Sequence, residues 1–224
     1  MLDYLPLVII LGGLGVMAYF LTKSGKKSEN KRAEVAAAHG WEYTAHTSAV
    51  VLNVPDEERN ILYTLKGKTK DGAEWEVTSR TWKTIEKSSS YKLELNPSTE
   101  LIANKSYAEP FLIMPHDGIT IPDFILAEIF KRLDVPIDTP RVSAEKLPEA
   151  LAAKYAVYSF NPPAMETLAS AAGHLNSWWS KFPGKTKALI VFGGPDWVKV
   201  RTEMQVDKED DMVLFVETAL ALIG

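Results

Sequence analysis

The sequence predicts an α+β domain of largely antiparallel strands behind one amino-terminal transmembrane helix. Three observations carry that expectation. An uncharged, mostly apolar run extends from Tyr4 to Leu21. Alternating segments flank two turns, Asp71-Gly72 and Gly193-Gly194-Pro195, as in antiparallel hairpins. Apolar residues at helical three-and-four spacing recur in the second half of the chain.

The first run is about 27 Å long as a helix at 1.5 Å per residue, close to the thickness of a bilayer's hydrocarbon core. Asp3 precedes it, and the basic residues Lys23, Lys26, Lys27, Lys31 and Arg32 follow it. A cleaved secretory signal has the reverse charge order and a small-residue cleavage site, so residues 1–22 read as a retained anchor. The positive-inside rule places the amino terminus outside a bacterial inner membrane and the rest in the cytoplasm. Pro6 falls in the first turn, and Tyr4, Tyr19 and Phe20 suit the two interfaces. Gly12, Gly13 and Gly15 make a small-residue patch at which another helix can pack closely, although no strict G-x-x-x-G is present. Residues 23–30 read as a basic juxtamembrane linker within reach of anionic lipid headgroups, and 31–224 as the soluble domain.

Within that domain NKRAEVAAAHG is a helix closed by Gly40, and WEYTA is a strand. Residues 47–59 are ambiguous: VVLNV is a strand candidate, and PDEERN reads as a turn. ILYTLKGKTK and AEWEVTSRTW flank Asp71-Gly72, the favoured pair for a two-residue type I′ turn. TIEKSSS reads as a loop, YKLEL as a strand, and 96–110 shows little periodicity. FLIM is a short strand, and PDFILAEIFKRLDV a helix with Pro122 in its first turn and basic residues at its end. Residues 134–147 read as irregular, PEALAAK as a short helix and YAVYSF as a strand. Asn161-Pro162 reads as a cap and first turn of a helix running to Phe182, with Met165, Leu168, Ala172, Leu175, Trp179 and Phe182 facing the core. Asp207 reads as the cap of a last helix whose face is Met212, Val213, Val216, Leu220 and Ile223.

Composition excludes several chemistries. The chain has 224 residues, a formal net charge of −4 and no cysteine. That removes disulfides, thiolate nucleophiles and zinc–thiolate sites. Beyond the juxtamembrane segment the basic residues are scattered, which argues against nucleic-acid binding. GKT occurs at 67–69 and 184–186, but the glycine a phosphate loop needs five residues earlier is Leu62 or Trp179. His39, His46, His116 and His174 have no second histidine or carboxylate at metal-ligand spacing, so no metal or cofactor is expected. His39 suits a helix carboxyl end. His116-Asp117-Gly118 reads as a turn, with a general base as its chemical alternative. Glu209, Asp210 and Asp211 suit the positive end of the last helix. Trp178 and Trp179 are adjacent on one helix; one serves the core, and the other is a candidate contact for a partner or the membrane surface.

EVAAAHGWEY, and LAAKYAVYSFNPPAMETLA followed by ALIVFGG, a strand and an amphipathic helix, resemble an uncharacterised class of bacterial single-pass membrane proteins. The resemblance covers the anchor, roughly 31–45 and roughly 148–222. It implies the anchored α+β topology and carries no reaction or site.

With no catalytic constellation, the expectation is a non-catalytic accessory or scaffolding subunit on a larger membrane protein complex, respiratory or photosynthetic. The alternative is a membrane-tethered sensor or small-ligand or lipid-binding domain. An enzyme with an unrecognised site around His116 and Asp117 ranks third.

Overall fold

The computed structural model describes residues 26–46, 60–88, 91–107, 109–116, 123–132 and 138–224. The segment 1–22 that reads as an anchor, with Gly12, Gly13 and Gly15, Lys23, the stretch 47–59 and Asp117 lie outside these residues. Among the described residues no helix is long and apolar enough to cross a membrane.

Helix α1 covers 26–38, so most of the segment read as linker is already helical and carries Lys26 and Lys27 on its exposed surface. Gly40 ends it with φ 72°, and the Trp41 N–H donates to the Ala36 carbonyl at 2.8 Å, a Schellman closure. Strands β1 (Glu42–Ala45), β2 (Ile61–Lys68) and β3 (Glu74–Arg80) follow, then β4 (Lys83–Ser88), β5 (Tyr91–Leu95), β6 (Ser98–Ala103) and β7 (Phe111–Pro115). Helix α2 (Asp123–Arg132), helix α3 (Glu149–Ala152), β8 (Tyr155–Ser159) and helix α4 (Met165–Lys181) come next. Strands β9 (Ile190–Gly193) and β10 (Val198–Thr202) lead into helix α5 (Glu209–Ile223).

Eight strands form one sheet in the order β1-β2-β3-β6-β10-β9-β7-β8, every pair antiparallel. Among the described strands β4 and β5 pair only with each other, as a ribbon that leaves the sheet between β3 and β6. On one face of the sheet, Leu65, Val77, Leu101, Val157, Val191 and Val200 pack against α1, α4 and α5. Those helices supply Ala36, then Leu168, Ala172, Leu175 and Trp178, then Met212, Phe215, Val216 and Ala219. Each large side chain buried there contributes about 1.5–3 kcal/mol relative to exposure. A second, smaller cluster on the other face joins Leu112, Met114, Ala156, Tyr158 and Phe192 to Phe130 of α2.

Several expectations change on contact with this fold. The turn after β2 is a three-residue loop, with Gly72 N–H donating to the Thr69 carbonyl at 3.0 Å and Thr69 N–H to the Ala73 carbonyl at 2.9 Å. The turn closed by that first bond has Lys70 and Asp71 at its centre, and Gly72, at φ 90°, follows it rather than sharing the centre with Asp71 as a two-residue type I′ turn requires. Residues 84–88, within the stretch TIEKSSS that reads as a loop, pair with β5, with a register shift between Glu86 and Ser88. Strand β6 lies at the centre of the sheet although its stretch lacks alternation, because its core-facing positions include the polar Thr99. Helix α4 starts at Met165 rather than Pro162, since Pro163 holds the residue before it extended. Asp207 does not cap α5; Lys208 precedes its first turn without a side-chain cap.

Candidate interaction surface

The register sets out the outer face of the sheet row by row. One row runs Glu42, Lys66, Glu76, Ile102, Lys199, Phe192, Leu112, Tyr158 across all eight strands. Its neighbour runs Thr44, Thr64, Thr78, Glu100, Arg201, Ile190. The apolar end of these rows sits in the α2 cluster. The charged end, over β1, β2, β3, β6 and β10, has no described helix packed on it.

This open half carries an ordered charge lattice. Lys66 Nζ lies 3.0 Å from Glu76, and Lys68 Nζ 3.3 Å from Glu74. Glu100 bridges Lys199 at 3.3 Å and Arg201 at 3.6 Å, and Arg201 Nε donates to Glu203 at 2.8 Å. The Glu76 carboxylate raises the Lys66 pKa by accepting its hydrogen bond. Burial pulls the Arg201 pKa down, but the Glu203 and Glu100 carboxylates overcome it and hold the guanidinium above its ordinary value. Ile102 stands in the middle of this lattice, 37% exposed. Lys199 Nζ lies 4.8 Å from the centre of the Trp197 ring, which meets Phe192 edge-on at 4.7 Å. An open groove of about 820 Å³ runs along this half, lined by Glu42, Lys66, Glu76, Thr78, Ile102 and Asn104 among others.

A second feature gathers at one end of the sheet, where β3 ends, β6 begins and β10 ends. The buried Arg32 of α1 donates from Nη1 to the Asp207 carbonyl at 2.9 Å and from Nε to Tyr43 Oη at 3.2 Å. Its guanidinium also lies 5.6 Å from the centre of the Tyr63 ring. The Tyr63 hydroxyl donates to the Val206 carbonyl at 2.7 Å, and burial pushes its pKa well up. The Thr99 hydroxyl donates to the Met204 carbonyl at 3.0 Å and accepts from the Val206 N–H at 3.0 Å. These bonds fasten α1 and the 203–208 connection to the same sheet end from which the β4–β5 ribbon departs. Trp82, at the base of that ribbon, is 53% exposed.

The structure redistributes the residues singled out by sequence. Trp178 is fully buried, its indole N–H donating to the Lys187 carbonyl at 2.8 Å, which takes it off the contact surface. Trp179 is half-buried, edge-on to Tyr155 with Lys154 over its ring. The exposed tryptophan is Trp82, which no periodicity flagged because it interrupts two strands. His39 stacks on Trp41, His46 meets Thr64 Oγ1 at 3.3 Å, and the His116 ring meets the Ala152 carbonyl at 2.9 Å. Among the described residues no group of three acidic or histidine side chains could hold a metal ion. The outer-face lattice was legible only as single alternating strands, since its rows depend on strand order.

The fold and surface thus define an α+β domain with one helix-covered sheet face and one half-open face. No family model and no curated protein matches the chain. Among solved structures, the crystal structure of the mycobacterial trehalose monomycolate transport factor A, TtfA, is similar at 12% identity and a TM-score of 0.44, over 88% of this chain and 92% of that one. Likeness at this level defines no family.

Proposed function

We propose that this chain is a membrane-anchored, non-catalytic accessory subunit that docks sideways on another membrane protein. The observation that carries the proposal is the open half of the sheet: fixed rows of opposite charges around the exposed Ile102. Exposed ion pairs add little stability, but an ordered array of them gives an approaching surface both register and selectivity. The groove beside them is open and ion-paired, which suits a polar protein surface better than an acyl chain or small apolar ligand. The anchor, residues 1–22, holds the domain at the bilayer, where a membrane subunit is within reach.

The test is mild detergent extraction of the full chain from its native membrane, native purification and mass measurement of what co-elutes. Wild type is expected in a larger complex, and Ile102→Asp is expected alone with unchanged thermal stability. Recovery of wild type as a monodisperse monomer overturns the proposal. So does a complex that survives Ile102→Asp together with charge reversal at Lys66 and Lys199.

A further inference from the structure

We infer that the β4–β5 ribbon, with Trp82 at its base, rests on the headgroup region of an anionic bilayer and orients the domain on the membrane. The inference deepens the proposed function and rests on its anchored reading of residues 1–22.

Geometry carries it. Helix α1 is described from residue 26, and Arg32 ties it to the end of the sheet where β3 and β6 give way to the ribbon. Lys26 lies six residues before Arg32, so α1 extends about 9 Å beyond that tie at 1.5 Å per residue. The uncharged run ends at Leu21, five residues before Lys26. Five Cα steps span at most ~18 Å even when fully extended. The start of α1 is therefore held within about that distance of the membrane interface if the run spans the bilayer. The ribbon leaves the sheet at this same end, and its six-residue strand β4 is about 16 Å long over five steps of ~3.3 Å.

Chemistry points the same way. A two-stranded ribbon on its own is marginally stable in water. Among the described elements, β4 and β5 make their substantial contacts with each other. A large aromatic exposed at such a base is costly in water and favourable at a bilayer interface, where the indole ring is apolar and its N–H is wet. Lys26 and Lys27 are exposed on α1 at this end, and the sequence of the ribbon adds Lys83, Lys87 and Lys92 against Glu86 and Glu94, a small positive excess. Lysines near an anionic surface each contribute about 1 kcal/mol of attraction. The opposite sheet end, where Lys70 lies in the loop between β2 and β3, faces away from the membrane in this arrangement.

The absence of cysteine makes the test direct. The full chain carrying Lys87→Cys or Lys70→Cys is labelled with an environment-sensitive fluorophore. It is then reconstituted into vesicles of equimolar phosphatidylcholine and phosphatidylglycerol containing a headgroup-spin-labelled lipid. The label at 87 is expected to shift to the blue and be quenched, and the label at 70 to show neither change. Trp82→Ser is expected to abolish most of the quenching at 87 while the circular dichroism spectrum stays unchanged. Equal quenching at both sites, or none at 87 in protein that floats with the vesicles after a carbonate wash, overturns the inference. So does a blue shift at 87 in native membranes that is missing in lipid alone, which assigns the ribbon to a protein partner. Failure to float after the wash overturns the anchored reading itself, a result distinct from the others.

Discussion

Replacing Arg32 by methionine tests whether the tie between α1 and the sheet end is what would couple the proposed anchor to the domain. The side chain is 5% exposed and donates to the Asp207 carbonyl at 2.9 Å and to Tyr43 Oη at 3.2 Å. Both bonds come from the charged guanidinium, and such a bond contributes roughly 1.5–3 kcal/mol. The guanidinium over the Tyr63 ring adds about 0.5–1 kcal/mol. The bond to Ser28 within the same helix, at 3.0 Å, persists wherever the helix forms and is left out. Against these stands the desolvation of the guanidinium, several kcal/mol for a buried ion and relieved in the variant; methionine gives up about as much rotamer freedom on burial as arginine, so that cost is unchanged. The net loss is then about 2 kcal/mol, which lowers Tm by roughly 4–8 °C in a domain of this size. Arg32→Lys keeps the charge but cannot present two donors in a fixed fork, so it falls between the two. The assay is urea unfolding of the full chain in detergent, with hydrogen exchange read residue by residue. Protection is expected to fall in α1 and at 203–208 and to persist in β6 and β10. A loss below about 0.5 kcal/mol, or a uniform drop in protection, refutes the reasoning, since surface substitutions alone reach that size.

Four further outcomes follow. Tyr63 and Tyr155 are both pushed up by burial, so each holds its proton more tightly in the folded state. Their contribution is complete below about pH 10, the ordinary tyrosine value, and is lost as pH rises beyond it. Alkaline unfolding should therefore be less steep in Tyr63→Phe than in wild type. Gly67→Ala and Gly193→Ala should each lower stability by about 1–3 kcal/mol in urea unfolding, because a methyl there overlaps the Trp75 or Phe111 ring. Trp178→Phe should lower stability by about 1–3 kcal/mol, since it removes core volume and leaves the Lys187 carbonyl without its indole donor. Lys66→Ser with Glu76→Ser should change stability by less than about 0.5 kcal/mol and still weaken complex recovery in native purification.

What could be read from sequence followed how far each element depends on its own neighbours. The α4 and α5 stripes were legible because a helix buries residues at fixed spacing, and Leu168, Leu175, Met212 and Val216 all lie in the core, whereas Met165, placed on the same stripe, is exposed at the first turn of α4. Both main hairpins were legible from their turns. Strand β6 was not, because its place in the sheet rests on cross-strand bonds and on Thr99 anchoring the distant 203–206 segment. A single strand carries no trace of that. Strand β4 was missed for the same reason: Ser88 opposite Tyr91 and Thr84 opposite Glu94 are pairings, not a hydrophobic pattern. Three-and-four spacing put Trp179 on the core face of α4, but the phase of the helix buried Trp178 completely and left Trp179 half-buried. The open half-face was invisible because Glu42, Lys66, Glu76 and Lys199 become one row only once β10 takes its place beside β6.

That row also explains how a half-covered sheet is kept from collapsing onto copies of itself. Its ion pairs each contribute between zero and about 1 kcal/mol, too little to account for the fold, which the helix-covered face supplies. An apolar replacement of the same row would leave a continuous exposed patch from Glu42 to Trp197, of the kind that drives association. Alternating charges keep the surface wet and repel a misaligned approach, while leaving Ile102 and the Trp197–Lys199 pair as apolar contacts within it. A partner that matches the rows replaces each ion pair with another and gains the apolar contacts. A partner one residue out of register sets like charges against each other, which costs several kcal/mol. Selectivity of this kind needs a domain presented in a fixed orientation. The ribbon and α1, leaving the same sheet end toward the anchor, supply that constraint in the arrangement proposed for the membrane.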